Sequence, residues 1–140
     1  MPGRHILVVE DCDEDFETVE DAARCAALRY PLVRANSGEE CLCMCRNATR
    51  RRTATPVLVL LDLNMPGDDG RIALREFRRD ESLRAVPLVV LSGSVNPRDV
   101  QFCYASGANA YHVKPVQYAL HLQVLQQIFG YWLGSVALLT

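Results

Sequence analysis

Lysine is nearly absent from this chain, which carries one, Lys114, beside fourteen arginines and seventeen acidic residues. The resulting net charge of −2 excludes a basic protein that coats nucleic acid, and the run Arg50, Arg51, Arg52 reads as a solvated loop. No long hydrophobic run is present either. The longest apolar stretch, residues 128–139, has 12 positions, where a bilayer needs about 20, so no membrane partner is expected. The apolar run 6–9 is too short for a secretory signal and acids then interrupt it, which places the expected location in the cytoplasm. There is no glycine-rich phosphate-cradling loop after that first run. A metal-binding CxxC pair is lacking as well. The six cysteines, Cys12, Cys25, Cys41, Cys43, Cys45 and Cys103, form no disulfide framework, because a chain of this length buries roughly 68% of its unfolded surface without staples. On a helix only the outer pair of Cys41, Cys43 and Cys45 shares a face, so these read as core or half-buried thiols. His5, His112 and His121 lie in or beside apolar segments, without a metal partner at useful spacing, and read as structural.

What is present has the composition of an ordinary globular domain, 49% hydrophobic and 23% charged. Short apolar runs at 6–9, 57–61 and 88–91, a weaker one at 110–113 and a fifth at 32–35 have the character of buried parallel strands. Between them lie segments with helical periodicity and helix-start residues at 13–28, 37–45, 69–77, 96–106 and from 117 onward. Residues 47–56 form the longest expected loop. Five alternations of strand and helix predict a doubly wound α/β domain with right-handed crossovers.

In such a sheet the functional crevice lies beyond the carboxyl ends of the strands. Glu10 and Asp11 follow the first run, Asp62 the run at 57–61, Ser92 the run at 88–91, and Lys114 with Pro115 the run at 110–113. Clustered carboxylates need a cation, and hard oxygen ligands with room for water suit Mg²⁺. Asp11 and Asp62 are the expected direct ligands, with Glu10 direct or through water. A carboxylate facing a metal and a lysine is a natural phosphoryl acceptor: Asp62 attacks, Lys114 and Mg²⁺ neutralise the equatorial oxygens, and the Ser92 hydroxyl bonds one of them. The solitary lysine falls at the one place where a compact ammonium serves better than a forked guanidinium. Residues 10–21 hold eight acids and no base, which suits the positive end of a first helix.

In order and spacing, Val8-Val9-Glu10-Asp11, the segment Leu60-Leu61-Asp62-Leu63-Asn64-Met65-Pro66-Gly67-Asp68-Asp69-Gly70, Val90-Leu91-Ser92 and Val113-Lys114-Pro115 resemble the receiver domains of two-component response regulators. Within that family the segments 82–87 and 108–111 and the aromatic ending 129–133 resemble the stand-alone regulators associated with bacterial phytochromes. The resemblance implies a flavodoxin-like (βα)5 receiver with a five-stranded parallel sheet. It implies a phosphoryl group accepted by Asp62 from a histidine kinase, here a bacteriophytochrome, and signalling through protein contacts. It implies Mg²⁺ on Glu10, Asp11, Asp62 and the main-chain carbonyl of Asn64, switch residues Ser92 and Tyr111, a cis Lys114–Pro115 bond, and no enzymatic role beyond assisting its own phosphorylation and dephosphorylation. The Glu-Asp order of the acidic pair lengthens one arm and favours a water bridge.

Three other readings compete with this one. A flavodoxin needs the missing phosphate loop, and a haloacid-dehalogenase-type phosphatase needs an acid where Asn64 stands. A pseudo-receiver, a phosphorylation-independent interaction module, would normally lack an acid, the acceptor or the lysine. The receiver is expected to fill residues 1–140 as one domain, with a helical, apolar extension from about 126. Along that last helix Tyr118, Leu122, Leu125, Phe129, Trp132 and Val136 form one apolar stripe. Leu120, Val124, Ile128 and Tyr131 form a second. With Trp132, this surplus stripe is expected to make a two-fold homodimer.

Overall fold

The computed structural model describes residues 3–63 and 70–138. Five strands, β1 (Ile6–Val9), β2 (Leu32–Ala35), β3 (Leu58–Asp62), β4 (Leu88–Ser92) and β5 (Ala110–Val113), form one parallel sheet in the order β2-β1-β3-β4-β5. Helices α1 (Asp13–Cys25), α2 (Gly38–Arg50), α3 (Gly70–Arg79) and α4 (Pro97–Ala105) make the crossovers, α5 (Tyr118–Gly130) follows the last strand, and a π-helical turn, Tyr131–Ser135, follows α5. This is the flavodoxin-like doubly wound architecture that the sequence pattern predicts.

Period-two alternation explains why the central strands are apolar at every position. Leu7, Val9, Val59, Leu61, Leu88 and Val90 face a core completed by Cys41, Leu42 and Cys45 of α2, Leu74 and Phe77 of α3, and Cys103 of α4. Ile6, Val8, Leu58, Leu60, Val89 and Leu91 face the opposite core, completed by Val19 and Ala22 of α1 and Leu125, Ile128 and Phe129 of α5. A strand covered by helices on both sides has no polar face to spare. The edge strands β2 and β5 are only partly buried, and they are the ones with mixed composition.

Two helix ends differ from expectation. α1 stops at Cys25, short of 28, and α2 continues past 45 to Arg50, which shortens the expected loop at 47–56. Both ends are Schellman caps without glycine. Ala27 (φ 50°) and Arg52 (φ 56°) occupy the left-handed position. The N–H of Leu28 bonds the carbonyl of Ala23, and that of Thr53 the carbonyl of Ala48. With no glycine to mark them, such ends are invisible to a composition-based rule. Cys41 and Cys45 are buried and Cys43 is exposed, as their spacing predicts. The expected start of α3 at Asp69 lies outside the described residues.

One residue of the expected dimer stripe is misplaced. Ile128 is 1% exposed and belongs to the α1–α5 core, because it sits three positions after the buried Leu125, only about 60° around the helix. It therefore offers no surface for a dimer contact. Leu120 and Tyr131 are exposed, and Val124 and Trp132 are half-buried. Tyr118, expected against the core, is exposed and donates its hydroxyl to Asp21 at 2.7 Å.

Candidate functional site

The strand order reverses between β1 and β3, and the crevice at that switch point opens at their carboxyl ends. Val9 pairs with Leu61, so the next residues, Glu10 and Asp62, lie side by side. Both are buried, whereas Asp11 is exposed. Glu10, Asp11 and Asp62 each bring one carboxylate oxygen within 4.8 Å of the others. They line an open cleft of about 500 Å³ with Cys12, Asp15, Gly93 and Lys114.

Lys114 follows β5, where its N–H bonds the carbonyl of Ser92 at 2.7 Å. Its ammonium donates to Glu10 Oε1 at 2.7 Å and Asp62 Oδ2 at 3.1 Å, and lies 2.6 Å from Asp15 Oδ2. Burial alone would lower the lysine's pKa. The hydrogen bonds to Asp15 and Glu10, with the charges of Asp62 and Glu10, outweigh it and hold the group above its ordinary value. Burial pushes the Glu10 carboxyl up to about 7, with the Asp62 charge adding and Lys114 opposing. Four carboxylates against one ammonium leave the cleft in excess negative charge. An all-oxygen donor set of this kind fits a hard divalent cation.

All described peptide bonds are trans, so the expected cis Lys114–Pro115 bond is corrected. Trans is intrinsically favoured by about 0.5–1 kcal/mol before proline, and Lys114 reaches all three acids with it. The Asn64 carbonyl, expected on the metal, lies outside the described residues.

Ser92 is buried, and its Oγ accepts the N–H of Ser94 at 3.1 Å. The Tyr111 hydroxyl donates to the carbonyl of Ser94 at 2.8 Å. Both expected switch residues thus meet on the same turn between β4 and α4. Ser94 itself was not singled out in the sequence, nor were two charged residues. Asp15 lies in the first turn of α1, within the acid-rich stretch 10–21. Arg34 interrupts the apolar run of β2; its Nε donates to the Glu10 carbonyl at 2.8 Å and its Nη1 to Asp13 at 2.7 Å. The guanidinium also lies 4.9 Å over the Phe16 ring. It therefore fixes the turn that carries Glu10 and Asp11. A lone charge inside a strand was the available signal.

Comparison with known proteins is consistent with this geometry. A model of the response regulator receiver domain matches residues 6–126. Response regulator Rcp1 of Synechocystis sp. is 30% identical over 138 residues, covering 98% of this chain and 94% of that protein. The crystal structure of the phosphorylated cyanobacterial phytochrome response regulator RcpA superposes with a TM-score of 0.90 at 30% identity, covering 99% of both chains. The Mn²⁺-bound form of Rcp1 gives a TM-score of 0.89 at 30% identity, covering 98% of this chain and 99% of that one.

Proposed function

Because the chain belongs to the response regulator receiver domain family, whose members take phosphate from histidine kinases and signal by it, we propose that Asp62 is its phosphoryl acceptor. The reaction moves a phosphoryl group from a kinase histidine to an Asp62 carboxylate oxygen, breaking a P–N bond and forming a P–O bond. Lys114 meets the incoming oxygens with a charge already held beside Asp62, and Glu10 and Asp15 keep that ammonium in place. Glu10, Asp11 and Asp62 are the side chains that would hold Mg²⁺, with the Asn64 carbonyl as a further ligand. A bound Mg²⁺ supplies positive charge against the equatorial phosphoryl oxygens. The single observation that carries this reading is the contact of the only lysine with acids from two neighbouring strand ends and from α1.

The Ser92 hydroxyl is the group that would follow the phosphoryl oxygens, releasing the Ser94 N–H, while Tyr111 changes place as the turn shifts. The likeness to Rcp1 and to the phytochrome response regulator RcpA supports a phytochrome-type kinase as donor, and we read self-catalysed loss of the phosphoryl group as the reset. We read residues 1–140 as one cytoplasmic receiver with an apolar extension from about 126. Leu120, Val124, Tyr131 and Trp132 are its homodimer contacts. Among the described residues no helix is long and apolar enough to cross a membrane.

Incubating the full chain with acetyl phosphate and Mg²⁺ is expected to add one phosphoryl group, seen by mass spectrometry, and Asp62→Asn to add none. Equal labelling of the variant would overturn the assignment by placing the acceptor elsewhere, and no labelling of the parent would overturn it in favour of a phosphorylation-independent interaction module.

A further inference from the structure

The amino ends of the strands carry a second concavity that takes no part in the site above. It has a volume of about 310 Å³ and lies between the second half of α2 and the starts of β1 and β2. Leu7, Val33, Met44 and Ala48 supply apolar wall, the buried His5 stands beside them, and the exposed Arg51 borders the opening. Leu7 precedes Glu10 by three residues, so about 10 Å of strand separates the two sites. His5 Nδ1 is already engaged with the Gly3 carbonyl at 3.1 Å, which leaves Arg51 as the charged group at the mouth.

Charge sets the chemistry of an occupant. Arg50, Arg51 and Arg52 are three successive cations, and none has an ion pair among the described residues. A helix C-terminus favours cations in general. Here, however, the last carbonyls of α2 are taken by the backbone: Asn47, Ala48 and Thr49 accept the N–H groups of Arg51, Thr53 and Arg52. The guanidinium groups are not needed as caps. The left-handed Arg52 (φ 56°) turns the chain at this point, where most side chains cost about 1–2 kcal/mol, and glycine would be the relaxed choice. An apolar hollow beside an unpaired guanidinium is a match for one kind of ligand.

We propose that this hollow binds a free amphipathic monoanion, with its apolar tail against Leu7, Val33, Met44 and Ala48 and its carboxylate on Arg51. A volume of about 310 Å³ lies at the lower end of the range of ligand pockets, about 300–1,000 Å³, which suits one short chain or ring rather than a two-chain lipid. Octanoate below its micellar concentration is the probe. Methyl resonances of Leu7, Val33 and Met44 in the full-length protein are expected to shift saturably, and octan-1-ol, with the same tail and no charge, to bind at least tenfold more weakly. Arg51→Gln is expected to weaken octanoate at least tenfold and leave octan-1-ol unchanged. Ala48→Phe, which fills the hollow, is expected to abolish both. Phosphorylation of Asp62 by acetyl phosphate should be unaltered in each variant. Arg51 is exposed, so its variant keeps the test decisive even if Ala48→Phe does not fold. The proposal is overturned by unsaturable or absent shifts, by equal affinity for octanoate and octan-1-ol, by an Arg51→Gln protein that binds octanoate as the parent does, or by binding to phosphatidylglycerol vesicles without binding to octanoate.

Discussion

Asp11 and Glu10 are adjacent in sequence but differ in what already holds them. Glu10 is buried and engaged by Lys114, while Asp11 is exposed and makes no hydrogen bond among the described residues. Asp11 therefore offers its carboxylate to a cation without first giving up a partner. Asp11→Ala is expected to weaken Mg²⁺ binding about tenfold more than Glu10→Ala, measured by titration calorimetry, because a direct ligand contributes more than one acting through water. Equal losses would remove the distinction. The cysteines separate on similar grounds. Burial pushes the Cys103 thiol up to about 11, with Asp99 adding and Arg71 opposing. The thiolate is the reactive form, and at pH 8 about one part in a thousand of such a group is ionised. Iodoacetamide at pH 8 is expected to label Cys12, Cys25 and Cys43, which are exposed, and to reach Cys103 only after unfolding in urea. Labelling of native Cys103 at the rate of Cys43 would contradict its burial.

At the scale of elements, the helix ends carry the information that composition hides. α1, α2 and α4 all end in the same hydrogen-bonded cap, with Ala27, Arg52 and Gly107 respectively in the left-handed position. Only the last uses glycine. Gly107 also has a packing reason, since a Cβ there would overlap the Arg78 side chain. Arg78 in turn donates to the carbonyls of Gly107, Arg84 and Val86 and to Asn109 Oδ1 at 2.7–2.8 Å, which ties the end of α3 to the turn before β5. Ala27 takes part in the α1 cap through its backbone, its N–H bonding the carbonyl of Arg24 at 3.1 Å. Ala27→Gly is expected to stabilise the protein by about 0.5–1 kcal/mol, since relief of the left-handed strain exceeds the added backbone entropy of the unfolded chain. A urea midpoint that falls rather than rises would refute this.

For the whole molecule, α5 and its extension form the surface on which self-association turns. Leu125, Ile128 and Phe129 close the α1–α5 core, and Leu122, Val124, Trp132, Leu133 and Leu138 pack against it. Much of the tail's apolar character is thus spent within the chain. Leu120, 47% exposed, and Tyr131, 58% exposed, remain outward. They are more compatible with a contact site when joined to the exposed parts of Val124 and Trp132. Sedimentation of the intact chain at micromolar concentration is expected to give a dimer, and a chain ending at Gly130 a folded monomer. A monomeric intact chain would dismiss the interface.

The order of elements, the parallel sheet and the meeting of Glu10, Asp11, Asp62, Ser92 and Lys114 at one edge of it were legible in the sequence, because strands buried on both faces read as unbroken apolar runs and these side chains end or follow them; Tyr111, inside β5, was marked by the family resemblance alone. The helix ends at Cys25 and Arg50 were not, since their caps depend on left-handed backbone at Ala27 and Arg52 rather than on a glycine. Neither was the inward side of Ile128, which depends on how α5 packs against α1. Only tertiary structure brought Asp15 and Arg34 to the acidic cleft. Their partners lie 99 and 24 residues away along the chain, and local spacing carries no record of contacts made across a sheet.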